Sequence, residues 1–273
     1  MNDPTPNDRL CIGALELGSR LLVGTGKYAT HAEMSECLEA SGATLVTVAL
    51  RRVNHDARSG PSLLDHIDLE RYSLLPNTAG CYEVRDAVRT AKLGRDLLRT
   101  QRVKLEVLGD AKTLLPDPLG TLQAAEELIA DGFEVYAYTS DDPRLCVRLA
   151  ELGCAAVMPA GSPIGSGRGV ANPAAIRIVR ELVPQTIPVI VDAGIGAASD
   201  AAVAMEAGAD GVLLNSAIAG AVDPVGMARA MRYGVMAGRA SFLAGRMPRR
   251  LHANASSPEE GLIEEAGPAP ARG

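Results

Sequence analysis

Residues 188–216 read Pro-Val-Ile-Val-Asp-Ala-Gly-Ile-Gly-Ala-Ala-Ser-Asp-Ala-Ala-Val-Ala-Met-Glu-Ala-Gly-Ala-Asp-Gly-Val-Leu-Leu-Asn-Ser. A β-branched run is followed by an Ala-rich segment of helical period, then a Gly and a second apolar run. That is one strand, one helix and the next strand, the unit from which parallel sheets are built. The same unit recurs in both directions. Strands are predicted over 20–24, 44–50, 72–77, 103–109, 134–140, 155–160, 188–193 and 211–216, and helices over 34–41, 84–98, 118–130, 144–152, 173–182, 198–207 and 225–240. Strand starts recur every roughly 20 to 35 residues, the room a strand, a loop and three helical turns require. Glu39-Ala-Ser-Gly-Ala, Ala150-Glu-Leu-Gly-Cys-Ala and Glu206-Ala-Gly-Ala-Asp each place a Gly where a left-handed cap closes the helix before the next strand. Eight such units without a composition break predict an α/β fold of one closed (β/α)8 TIM barrel over 11–251, rather than a doubly wound open sheet. Residues 1–10 and 252–273 lack any apolar period, and composition predicts a disordered N-terminus and a flexible C-terminal tail there.

Composition narrows the partners. The chain of 273 residues carries 27 basic and 33 acidic residues, a net charge of −6, and has 6 Tyr, 2 Phe and no Trp. An acidic chain poor in aromatics is not a nucleic-acid binder. No run approaches a membrane span and the first ten residues lack signal-peptide features, so a cytoplasmic location is expected. Five scattered cysteines without a C-x-x-C pair, and four dispersed histidines, predict neither a metal site nor disulfides. The cysteines are expected to pack as small apolar residues.

The basic residues are uneven: 23 are Arg and 4 are Lys, at 27, 92, 104 and 112. In Val103-Lys104-Leu105-Glu106-Val107 the period of two puts Lys104 and Glu106 on one face and the apolar residues on the other. The apolar face suits the helices, which turns both charges into the barrel. A structural ion pair, or a polar edge that faces solvent, is one outcome. The other is chemistry: Arg never loses its proton, whereas a desolvated Lys can become a free amine and form an imine with a ketone. Lys27, after a Gly-Thr-Gly turn, is the rival nucleophile.

The ends of the last strands add an anion site. Gly161-Ser-Pro-Ile-Gly-Ser-Gly-Arg-Gly169 holds four glycines in nine residues, a loop equally suited to anion contact or to a flexible lid. Asp192-Ala193-Gly194 and Asn215-Ser216 end strands seven and eight, where such barrels hold phosphate on backbone amides. Asp192 is there either an acid/base or a helix cap. Gly24-Thr-Gly-Lys-Tyr-Ala29 is an incomplete dinucleotide fingerprint without an acidic partner, so NAD binding is not expected. Arg51-Arg-Val-Asn-His55 reads equally as part of a mobile loop or as a solvated charged face.

These segments, together with Leu75-Pro-Asn-Thr-Ala-Gly-Cys81, Leu114-Leu-Pro-Asp-Pro118 and Gly153-Cys-Ala-Ala-Val-Met-Pro159, make the sequence, from about Leu22 to Pro258, closely resemble the thiazole synthase (ThiG) family of bacterial thiamine biosynthesis. The resemblance implies a sulfur-transferring (β/α)8 enzyme without a cofactor or metal. It would condense 1-deoxy-D-xylulose 5-phosphate, dehydroglycine (2-iminoacetate) and sulfur from the thiocarboxylated carrier ThiS. It also implies Lys104 as the imine-forming lysine, Glu106 and Asp192 as acid/base carboxylates, and Gly165, Ala193, Gly194, Asn215 and Ser216 as sugar-phosphate contacts. A homotetramer, and ThiH or a glycine oxidase as the dehydroglycine source, belong to the same expectation. Ser216 stands where the family often has Thr, which keeps the hydroxyl. Two other readings share the residues: an imine-forming aldolase of the deoxyribose-phosphate kind, and a non-catalytic phosphate-binding scaffold that docks a carrier protein.

Overall fold

The computed structural model describes residues 8–50 and 63–254. The charged stretch 51–55 and the tail from 255 onward lie outside the described residues, as do residues 1–7. Strands β1 (Leu10–Ile12) and β2 (Leu15–Leu17) form an antiparallel hairpin. Eight parallel strands follow: β3 (Leu21–Gly24), β4 (Leu45–Ala49), β5 (Ser73–Asn77), β6 (Arg102–Leu105), β7 (Glu134–Thr139), β8 (Ala156–Pro159), β9 (Ile190–Asp192) and β10 (Gly211–Leu214). Neighbours in sequence are neighbours in space, and β10 pairs with β3. Parallel bridges Val157–Val189 and Ala160–Asp192 join β8 to β9 and close the barrel. The predicted fold is the observed one.

The helices are α1 (His31–Ser41), α2 (Val84–Leu98), α3 (Pro118–Ala130), α4 (Pro143–Glu151), α5 (Pro173–Leu182), α6 (Ala198–Glu206), a short α7 (Ser216–Ala219) and α8 (Pro224–Ala244). Four of them start on the same local device, an Asp or Asn cap followed by Pro. Asp117, Asp142, Asn172 and Asp223 accept backbone N–H groups of the first turn at 2.7 to 3.2 Å, and the proline occupies the position where no N–H is needed. Gly42, Gly153 and Gly208 have φ of +64°, +97° and +101°, the left-handed closures expected at the helix ends. Ahead of β5 the described residues include a 3-10 turn, Leu63–His66. Among the described residues no helix is long and apolar enough to cross a membrane.

Two apolar layers sandwich the strands. Outward residues such as Val103, Leu105 and Val107 pack on helices with Ala87, Ala124 and Leu128. Inward residues Leu22, Leu45, Leu75, Tyr136, Met158, Ile190 and Leu213 form the barrel interior, joined by Leu10, Ile12 and Leu17 of the hairpin. The hairpin thus stoppers the end of the barrel where the strands begin. Composition predicts disorder through residue 10, but residues 8–10 are held. Leu10 is buried in this cluster, and Asp8 accepts from Arg20 and Arg239 at 2.7 to 3.2 Å. The hairpin escaped prediction because its strands are three residues long and draw their stability from the barrel floor rather than from a local pattern.

Candidate active site

Going up the inner face of four strands, apolar side chains give way to polar ones within two residues. Leu45 is followed by Thr47, Leu75 by Asn77, Ile190 by Asp192 and Leu213 by Asn215. The polar members line a cavity of about 390 Å³ at the strands' carboxyl ends. All eight residues singled out from the sequence line it: Lys104, Glu106, Gly165, Asp192, Ala193, Gly194, Asn215 and Ser216. Gly24–Lys27, Thr47, Asn77, Ala79 and Gly80 line it too; only Lys27 among them carried a chemical signal in the sequence.

On the cavity floor, the Lys104 Nζ donates to Glu106 Oε1 at 2.8 Å and lies 2.6 Å from Asp192 Oδ2, with all three side chains buried. The Tyr138 ring centroid is 5.4 Å from the ammonium. Burial alone pulls the Lys104 pKa down, but the charges of Asp192 and Glu106 outweigh it, so the group stays a cation well above the ordinary lysine value. Desolvation on its own points to a free amine near neutrality; the two carboxylates reverse that expectation. Burial also pushes the Asp192 carboxyl up, with Lys104 opposing. The trio of one ammonium and two carboxylates carries one negative charge too many for a dry site, and the excess falls on Asp192. The capping role weighed for Asp192 belongs instead to Asp200, whose Oδ2 accepts from Gly196 N and Ala197 N at 2.9 and 3.0 Å.

The opposite wall is backbone. The glycine loop after β8 is tied to the turn after β9: Gly161 N donates to Asp192 O at 3.1 Å and Gly169 N to Gly194 O at 2.8 Å. At Gly194, φ is +79° and a Cβ would run into the Ser162 backbone N. Only glycine permits that approach. Ala193 adopts φ +65° without being glycine, so its backbone is strained where it lines the cavity. Asn215 Nδ2 donates to Gly26 O at 2.8 Å, tying the first and last strand-to-helix loops together. Its Oδ1 is buried and finds no hydrogen-bond partner among the described residues.

Residues 11–258 match the family model "Thiazole biosynthesis protein ThiG". The chain belongs to the thiazole synthase family. It is 60% identical over 257 residues to the thiazole synthase of Citrifermentans bemidjiense, covering 94% of this chain and 98% of that one. With that of Rhodopirellula baltica it shares 58% over 270 residues, 96% of this chain and 94% of the other. Among solved structures, a chain of the Amycolatopsis orientalis BexX/CysO complex superposes with a TM-score of 0.79 at 38% identity, covering 89% of this chain and 98% of that one. Membership makes the chain a sulfur-transferring enzyme of thiamine biosynthesis.

Proposed function

We propose that this thiazole synthase condenses 1-deoxy-D-xylulose 5-phosphate, dehydroglycine and the sulfur of ThiS thiocarboxylate into the phosphorylated thiazole carboxylate, through an imine between the sugar ketone and Lys104. One observation carries the reading: a lysine buried between two carboxylates on the floor of a cavity large enough for a sugar phosphate.

The resting ammonium is not a nucleophile, so a proton must leave before attack. Asp192, 2.6 Å away and with its carboxyl already pushed up, is the acceptor at hand. The freed amine adds to the ketone carbon, water departs, and the iminium acidifies the neighbouring C–H bonds. Glu106 and Asp192 then move protons while the carbonyl migrates along the sugar. Amides around Gly165, Ala193, Gly194 and Ser216 hold the phosphate, so that binding energy remote from the reacting carbons fixes their position. Asn215 adds a polar side chain to the same wall. The BexX/CysO chain, a relative crystallised in a two-protein complex, supports a protein as sulfur donor. A cytoplasmic location, a tetrameric assembly and dehydroglycine from ThiH or a glycine oxidase belong to the same proposal.

Purified enzyme given the sugar phosphate, dehydroglycine and ThiS thiocarboxylate is expected to release the thiazole, detected by mass spectrometry. An adduct trapped by borohydride without any thiazole on adding ThiS thiocarboxylate would leave an aldolase-type imine enzyme. No adduct at all would leave a binding scaffold.

A further inference from the structure

Strand β6 ends at Leu105, one residue before Glu106. The partner strand β5 ends at Asn77, opposite Lys104. Glu106 therefore sits past the end of the ladder, where no backbone partner on β5 reaches it, yet it is only 4% exposed. Its backbone polar groups still need partners. A single side chain supplies both: Thr78 Oγ1 accepts from Glu106 N at 2.8 Å and donates to Glu106 O at 2.8 Å. Thr78 N meanwhile donates to Lys104 O at 3.1 Å. Thr78 is fully buried and does not line the cavity, so its hydroxyl has no access to a bound sugar.

From this clasp we infer that Thr78 is a positioning residue for Glu106, extending the β5–β6 ladder by one side-chain rung so that the carboxylate meets the Lys104 Nζ. A hydroxyl is the group that can do this, since it donates and accepts at once. Val matches Thr closely in shape, so it keeps the buried side chain while removing both bonds. Proton transfer depends on placement to within a fraction of an ångström, so a loosened Glu106 costs turnover more than binding. The inference rests on the proposed acid/base role of Glu106. Wild-type enzyme is therefore assayed first for the borohydride adduct and for thiazole; failure at that step overturns the proposed function and not the clasp.

With wild type active, Thr78→Val is expected to lower kcat by about tenfold or more, part of the acid/base contribution. KM for the sugar phosphate should stay within about twofold, because the loss falls on proton transfer. The pH–rate profile should change shape, while Thr78→Ser restores kcat and the wild-type profile. In a Glu106→Gln background the Thr78→Val penalty should vanish, because the two residues act as one unit. Unchanged kcat and pH profile in Thr78→Val, or an undiminished penalty in the Gln background, overturns the inference. Should the Val variant fail to fold, Thr78→Cys takes its place, matching the size with a far weaker donor and acceptor. A Cys enzyme as fast as wild type would then overturn it.

Discussion

The two ends of the barrel interior are built from the same strands by opposite rules. Toward the strand starts, Leu10, Ile12 and Leu17 of the hairpin meet Leu22, Leu45, Leu75 and Ile190 in an apolar cluster. Two residues further along the same faces, Thr47, Asn77, Asp192 and Asn215 surround a buried ammonium and an open cavity. The floor gains stability from apolar burial, roughly 1.5 to 3 kcal/mol for each large side chain. The upper layer forgoes that gain and buries an excess negative charge. What differs is the use: the closed end holds the barrel shut, and that rigidity lets the other end keep two carboxylates within 3 Å of one buried ammonium.

Changes at the two ends should separate cleanly. The largest effect falls at the site: Lys104→Arg keeps a cation but forms no imine, and borohydride trapping with the sugar phosphate should give no adduct on the peptide containing position 104. An adduct there would remove the proposed chemistry. Next, Glu106→Gln and Asp192→Asn should each lower kcat of the folded enzyme by about 10²- to 10⁴-fold. At the floor the pattern inverts. Leu17→Ala should cost about 2 to 5 kcal/mol in urea unfolding while the surviving folded enzyme keeps its kcat.

Asp192 sharpens the comparison through pH. Its carboxyl is raised in the folded state by burial, so the folded chain holds that proton more tightly than the unfolded one. The stability this provides is fully present below the ordinary aspartate pKa and lost as pH rises through the raised value. Asp192→Asn lacks that loss, so its stability relative to wild type should grow between pH 4 and pH 7, read by urea titration at both. A gap that shrank with pH would put the excess charge elsewhere. The smallest effect is expected at Lys27, exposed on the cavity rim: Lys27→Ala should raise KM for the sugar phosphate a few-fold, with the adduct still on Lys104.

Much of this was readable before the fold was known. The period of two across Val103–Val107 puts Lys104 and Glu106 inside and the valines against the helices, as found. The scarcity of lysine singled out Lys104, and Asp192 and Asn215 stood at the strand ends where a barrel builds its site. Thr78, Thr47 and Asn77 gave no such signal, because a polar residue at a strand end is ordinary until its neighbour across the sheet is known. The hairpin was missed because three-residue strands have no period to read.

The sequence by itself determined the barrel and which face the strand through Lys104 and Glu106 turns inward, since alternation and helix caps are local properties of the chain. Only the tertiary structure decided the protonation of the site. Lys104 and Glu106 are neighbours on one strand, but Asp192 is far along the chain, and closure of β8 onto β9 brings it to the amine. A buried lysine alone would shed its proton; held between two carboxylates it keeps it, and that depends on distances no linear pattern contains.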